Sequence, residues 1–244
     1  LPMSDAVAPK ITLTRLAEMK AQREPIVMVT AYDFPAARAA ERAGVHMLLV
    51  GDSAAQVVLG YESTTQVSVD EMLTLAKAVR RGAPSTFVVC DLPFGSTEVS
   101  DAQAVETAVR FVREAGADAV KLEGGGPERL SRIRAIDAAG VPVVGHVGLT
   151  PQTATRLGGY RAQGRTVESA RRLVSEAIAV QEAGACAMVI EAVPTEVVSA
   201  VLPRIAVPVI GIGAGPADGQ GLVLHDLLGL TEGRGPPFVE RLRP

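Results

Sequence analysis

Eight short apolar runs, spread along the chain and separated by stretches of helical periodicity, restrict what this sequence can fold into more than any other feature. The runs are Ile26–Thr30, Met47–Val50, Phe87–Cys90, Ala119–Leu122, Val143–His146, Met188–Ile190, Val209–Ile212 and Leu222–Leu224. Most are continuously hydrophobic rather than alternating, the signature of parallel strands covered on both faces. Between them, the segment from Val167 to Ala183 places Ala170, Leu173, Val174, Ala177 and Ile178 on one helical face. Four helical stretches end in glycine, at Gly44, Gly116, Gly140 and Gly184, where a left-handed residue closes a helix before the next strand. Eight strands alternating with helices predict a single (β/α)8 TIM barrel rather than a doubly wound sheet.

The 244 residues are expected to form one catalytic domain, with residues 1–25 as an N-terminal helical extension. Its helix is predicted from Thr12 to Arg23, with Leu13, Leu16 and Met19 on one side. Two irregularities interrupt the repeat. A long segment, 54–67, follows the second strand, and only residues 214–221 separate the seventh from the eighth, so the seventh helix is expected to be short or absent. A last helix starting near Phe238 is expected to be incomplete.

Bulk properties exclude several functions. A net charge of −3 with both signs interspersed offers no basic stripe for a phosphate backbone, and 3% aromatic residues leave few platforms for stacking bases. The apolar runs are strand-sized, so no membrane span is expected, and the N-terminus shows no charged-then-apolar signal pattern. Cys90 and Cys186 lie within strand-like runs and read as small buried thiols. A reduced, cytoplasmic setting follows as the expectation.

In a β/α barrel the reactive groups gather at the C-terminal ends of the strands. Here those ends carry Asp52 and Ser53, Asp91, Lys121 with Glu123, His146, and Glu191 on strands two to six. Asp52, Asp91 and Glu123 are hard oxygen donors on three consecutive strands, a set that suits Mg2+ with water and substrate completing its octahedron. Any one of them could instead cap a helix or pair with arginine. Zinc is disfavoured by the lack of cysteine and histidine at ligand spacing, and His46 opens a strand instead of ending one. Lys121 and Glu123, two apart on a strand, share a face. The lysine could bind a carboxylate, act as a Schiff-base nucleophile or simply pair with Glu123. His146 reads as a hydrogen-bond donor to a carbonyl or as a satisfied buried side chain. Glu191 emerges from an apolar strand, where desolvation would suit it to general-base work, against the alternative of a salt-bridged barrel acid. The glycine-rich segment 211–215 lacks the helix start and acidic partner of a dinucleotide loop and reads as a tight turn.

Taken in order, these phrases resemble the ketopantoate hydroxymethyltransferase family of the phosphoenolpyruvate/pyruvate-like barrels. The matching segments include Thr30-Ala31-Tyr32-Asp33, Leu49-Val50-Gly51-Asp52-Ser53, Asp91-Leu92-Pro93-Phe94 and Val120-Lys121-Leu122-Glu123-Gly124-Gly125. They continue with residues 145–152 (Gly-His-Val-Gly-Leu-Thr-Pro-Gln), Leu157-Gly158-Gly159-Tyr160, Glu191-Ala192-Val193-Pro194 and residues 211–215. The resemblance implies a magnesium site at Asp52, Asp91 and Glu123, α-keto acid contacts from Ser53, Asp91, Lys121 and His146, and a proton-accepting role for Glu191. It implies hydroxymethyl transfer from 5,10-methylenetetrahydrofolate to 3-methyl-2-oxobutanoate through a Mg-stabilised enolate, giving 2-dehydropantoate for pantothenate synthesis. A homo-oligomer, often a decamer, is the expected assembly. Ala54-Ala55 departs from the family's usual Leu-Gly, the Pro216-Ala217-Asp218 link is one residue shorter than usual, and the C-terminal tail is shorter. Two other readings compete: a related magnesium-dependent lyase or phosphotransferase, and a catalytically silent metabolite-binding barrel. The phrase at 145–152 argues against the first, and the joint presence of the strand-end acids and Lys121 against the second.

Overall fold

The computed structural model describes residues 9–155, 158–159, 161–231 and 236–242. Leu157 and Tyr160 of the family phrase lie outside the described residues, as do the first eight residues of the N-terminal extension. Eight parallel strands close into a barrel in sequence order: β1 (Ile26–Thr30), β2 (Met47–Val50), β3 (Phe87–Asp91), β4 (Ala119–Glu123), β5 (Val143–Gly148), β6 (Ala187–Glu191), β7 (Val209–Ile212) and β8 (Gly219–Leu222), the last pairing with β1.

The helices in chain order are α1 (Leu13–Gln22), α2 (Phe34–Arg42), α3 (Ala54–Val57), α4 (Val69–Gly82), α5 (Asp101–Ala115), α6 (Pro127–Ala138), α7 (Val167–Glu182), α8 (Thr195–Val201) and α9 (Leu224–Leu227). Local chemistry fixes their starts. Thr12, Asp33, Ser68, Ser100 and Thr166 each cap a following helix by accepting a backbone N–H through the side chain. The glycine stops at Gly44, Gly116, Gly140 and Gly184 all adopt left-handed φ, as expected of helix terminators. Among the described residues no helix is long and apolar enough to cross a membrane.

Apolar packing separates into two layers. Ile26, Met28, Met47, Leu49, Phe87, Val89, Ala119, Val144, Ala187, Val189 and Ile210 fill the barrel interior, joined by Leu16 and Met19 of α1. A larger layer, built around Leu48, Val88, Val120, Phe111, Ile133, Ile136, Leu173 and Val180, lies between sheet and helices. Strand alternation then dictates the site. Residues that continue the inward-facing series Phe87–Val89, Ala119, Val144 and Ala187–Val189 at the strand ends are Asp91, Lys121 and Glu123, His146 and Glu191.

Two expectations are corrected. The eighth strand is Gly219–Leu222 instead of Leu222–Leu224, because barrel closure needs minimal side chains there. A Cβ on Gly219 would come within 2.3 Å of the Ile26 carbonyl oxygen, and one on Gly221 within 2.6 Å of Met28 Cε. The apolar Leu222-Val223-Leu224 run that suggested a strand instead leads into α9. No helix starts near Phe238 either. The described residues 236–242 are non-helical, and Phe238 packs where a Cβ on Gly213 would sit. The link between β7 and β8 contains no helix, as the spacing required. The long segment after β2 folds into α3 and a 3₁₀ turn, Thr64–Gln66.

Candidate active site

The strand ends surround a cavity of about 570 Å3 at the barrel mouth, lined by Asp52, Ser53, Asp91, Lys121, Glu123, His146 and Glu191 together. Every site residue anticipated from the sequence therefore reaches one space. Strand register brings them side by side: Asp91 is opposite Lys121, Glu123 opposite His146, and Gly148 opposite Glu191. Gly148 is required here, with φ +96° and a would-be Cβ only 2.3 Å from the Glu191 carbonyl oxygen.

Contacts among these groups are dense. The Lys121 ammonium lies 3.0 Å from Asp91 Oδ1 and 3.1 Å from His146 Nδ1. His146 Nδ1 is also 3.5 Å from Glu123 Oε1, and its Nε2 is 3.2 Å from Glu191 Oε2. The Asp52 backbone N–H donates to Asp91 Oδ2 at 2.9 Å. Asp52, Asp91, Lys121, Glu123 and His146 are all buried, whereas Glu191 keeps 19% of its side chain exposed at the mouth.

Burial and charge crowding act on every ionisable group in the cluster. Asp52 is pushed well above the usual carboxylate range by desolvation, then by the charges of Asp91 and Glu123. Desolvation also raises Asp91, against the opposing pull of Lys121. Desolvation raises Glu123, while Lys121, the Gln152 N–H and, whenever its ring carries a second proton, His146 outweigh it and hold the carboxyl below its ordinary value. Lys121 is desolvated too, yet the three surrounding carboxylates raise it, so it stays an ammonium. On His146, burial and the Lys121 charge oppose a proton, while Glu123 and Glu191 favour one and push the value up. The 3.1 Å approach of the Lys121 ammonium nevertheless requires a lone pair on Nδ1. We therefore place a neutral ring in the free site, with its N–H on Nε2 toward Glu191.

Three residues reach the site without having been given a role by sequence reasoning. Gln152, on a 3₁₀ turn (Pro151–Thr153) after β5, donates from its side-chain amide to Asp52 Oδ2 at 2.8 Å and to the Leu92 carbonyl at 3.0 Å, and from its backbone N–H to Glu123 Oε2 at 3.0 Å. It orients two of the acids at once. Tyr32 hydrogen-bonds to Ser53 Oγ at 2.7 Å, and its burial raises the phenol so that it remains neutral. Gln152 and Tyr32 both sit inside phrases that carried the family resemblance, and that was the available signal. Thr64 lines the cavity from the turn after α3, in the segment 54–67 that its length alone set apart in the sequence.

The donor set fits a small hard cation better than a transition metal. Four strand-end carboxylates, Asp52, Asp91, Glu123 and Glu191, with Asp226 as a fifth acid on the wall, face one ammonium, and this surplus of negative charge adds to desolvation in raising Asp52. Asp91 Oδ1 is buried without a hydrogen-bond partner. Among the described residues no group of three or more His, Cys, Asp or Glu side chains is close enough to hold an ion by itself. Such a site suits Mg2+, which commonly takes one or two carboxylates and completes its shell with water and substrate.

Comparison with known proteins agrees with this geometry. Residues 10–243 match the family described as ketopantoate hydroxymethyltransferase. The chain belongs to the ketopantoate hydroxymethyltransferase family. It is 50% identical to the 3-methyl-2-oxobutanoate hydroxymethyltransferase of Alkaliphilus metalliredigens (strain QYMF), over 96% of this chain and 83% of that protein. It is 54% identical to the enzyme of the same name from Geobacillus thermodenitrificans (strain NG80-2), over 91% of this chain and 80% of that one. Solved structures share the fold at low identity. A phosphoenolpyruvate phosphomutase from Streptomyces platensis subsp. rosaceus aligns with TM-score 0.68 at 18% identity, over 89% of this chain and 83% of that one. A phosphonopyruvate hydrolase solved with oxalate and Mg2+ aligns with TM-score 0.66 at 15% identity, over 90% of this chain and 84% of that one. Members of the ketopantoate hydroxymethyltransferase family thus share a barrel with enzymes of other names, and the cluster at the mouth has to carry the functional argument.

Proposed function

We propose that this chain transfers a hydroxymethyl group to 3-methyl-2-oxobutanoate from 5,10-methylenetetrahydrofolate, giving 2-dehydropantoate and tetrahydrofolate for pantothenate synthesis. The observation that carries the reading is the convergence of Asp52, Asp91, Glu123, Glu191, Lys121 and His146 on one cavity, in a chain half-identical to relatives bearing that activity's name. Asp52, Asp91 and Glu123 are the residues that would hold Mg2+. Bound there, the cation would supply Lewis-acid polarisation of the substrate ketone and offset charge developing on its oxygen.

The protein groups divide the remaining work. Lys121, kept cationic by its carboxylate neighbours, offsets the charge of the keto acid, and Ser53 donates a hydrogen bond from the chain after β2. Glu191, the most accessible acid, accepts the C3 proton and leaves an enolate. The enolate carbon bonds to the one-carbon unit as its two C–N bonds to the folate break, water supplies the hydroxyl oxygen, and the protons from C3 and from that water end on the nitrogens of the departing tetrahydrofolate. His146, whose Nε2 lies 3.2 Å from Glu191 Oε2, is placed to steady that carboxylate. We further propose a homo-oligomeric assembly, with a decamer as its working size, in a cytoplasmic setting. The mass of the purified chain in solution checks the first part.

Product formation from 3-methyl-2-oxobutanoate, with Mg2+ and methylenetetrahydrofolate omitted in turn, tests the assignment. Activity is expected to require both, and turnover without either one overturns it. Independence from folate alone would favour a lyase of the related barrels. Glu191→Gln is expected to abolish exchange of the C3 proton in deuterated water, and wild-type exchange in that variant would remove Glu191 from the base role.

A further inference from the structure

Among the described residues, four buried side-chain polar atoms have no hydrogen-bond partner: Thr64 Oγ1, Asp91 Oδ1, His146 Nε2 and His225 Nδ1. Buried polar atoms are nearly always paired, so each exception calls for a partner supplied from elsewhere. Asp91 Oδ1 and His146 Nε2 sit 3.0 and 3.2 Å from the charged groups of Lys121 and Glu191, within the cluster already described. His225 does not line the barrel mouth. Thr64 is different: it is a neutral hydroxyl, only 2% exposed, on the wall of the reaction cavity.

Its own turn does not use that hydroxyl. In the 3₁₀ turn the capping is done by Ser63, whose side chain accepts from the Thr65 N–H and whose backbone N–H donates to Gln66 Oε1. The approach to the turn is fastened independently, by Gln56 Nε2 donating to the Glu62 carbonyl at 3.0 Å and by the Tyr61 hydroxyl donating to Glu71 Oε1 at 2.7 Å. Thr64 is thus held on a firm support, with an unpartnered hydroxyl on a residue that forms part of the cavity wall. Hydrogen-bond donors are scarce at the mouth, which is dominated by carboxylates, while an α-keto acid presents only acceptor oxygens. Ser53 and Thr64 both come from the connection between β2 and α4, so the two hydroxyls belong to the same rim.

We propose that the Thr64 hydroxyl donates a hydrogen bond to an oxygen of the bound α-keto acid, making Thr64 a substrate-contacting residue beside Ser53. The inference rests on the keto-acid reading of the site. It also carries a stability consequence of opposite sign: a buried hydroxyl without a protein partner does nothing for the free fold, so an isosteric apolar side chain is tolerated there.

The test is calorimetric titration of 3-methyl-2-oxobutanoate, with Mg2+ present, into the wild-type chain and the Thr64→Val and Thr64→Ser variants, together with thermal unfolding of each. Thr64→Val is expected to weaken binding about three- to tenfold, the loss typical of one neutral hydrogen bond. Its melting temperature should be unchanged or higher, and Thr64→Ser should bind within about twofold of wild type. Thr64→Val with wild-type affinity overturns the proposal, and so does weakened binding accompanied by a lower melting temperature, which would mark a structural role. Failure of the wild-type chain to bind the keto acid at all would instead sink the keto-acid reading on which this rests.

Discussion

Ala192, which follows the proposed base, has φ +50°, a left-handed conformation that an alanine adopts at a cost of about 1–2 kcal/mol. Two backbone hydrogen bonds hold it there, from its N–H to Ile212 O at 2.8 Å and to its carbonyl from Gln163 N at 2.9 Å. The strain turns the chain sharply just after Glu191 and fixes where that carboxylate emerges. Ala192→Gly relieves the steric cost but adds about 0.5–1 kcal/mol of unfolded-chain entropy, so a net rise in melting temperature of about 1–3 °C is expected. Ala192→Val should lower both melting temperature and turnover, and scanning calorimetry with an activity assay checks the pair. Gln152 acts at the same scale by a different means. Gln152→Leu leaves Asp52 Oδ2 without a donor it now has, and the expected outcome is a 10–100-fold weaker affinity for Mg2+, read by titration, as for other groups that orient metal ligands. The acids at strand ends were legible because alternation and the barrel rule say where to look. Gln152 was not, because nothing in local spacing reveals that a turn after β5 reaches back to the acid after β2.

Elements show the same division between what a sequence pattern can carry and what packing decides. Runs of Val, Ile and Leu identified seven strands closely because those strands are covered on both faces. The polar strand ends were left outside the runs, yet Asp91, Glu123 and Glu191 prove to be the last residues of β3, β4 and β6. β8 was expected three residues too late, meeting the observed strand only at Leu222, since Gly219-Gln220-Gly221 has no apolar signal and its glycines let it close against β1. Gly219→Ala is therefore expected to be among the most damaging single-methyl substitutions in the chain, costing about 1–3 kcal/mol by overpacking against Ile26. A melting temperature within about 1 °C of wild type would contradict this origin of barrel closure. Helix starts were better advertised. Ser68 caps α4 through a reciprocal pair with Glu71, and Ser68→Ala should cost about 1 kcal/mol without touching the cavity.

At the scale of the whole molecule, the barrel concentrates negative charge that its own cations do not balance. The fold itself was legible because eight buried strands with glycine-terminated helices admit few other closures. The electrostatic state of the mouth was not, since it depends on distances between strands that sequence spacing leaves open. That state makes a prediction about stability. Desolvation and the neighbouring acids raise Asp52, so the folded chain keeps a proton there at pH values where the unfolded chain has already lost it. Where the folded state binds more protons than the unfolded one, stability falls as pH rises, in a window running upward from the ordinary carboxylate range. A cation at Asp52 must displace that proton, so its binding strengthens over the same window. Millimolar Mg2+ is therefore expected to raise the melting temperature at about pH 8, by roughly 5–10 °C if the ion is present at about 100 times its dissociation constant. The rise should shrink toward about pH 5, where the proton competes. An equal or larger Mg2+ effect at the lower pH would show that the ion binds elsewhere, or that Asp52 is already ionised in the free barrel.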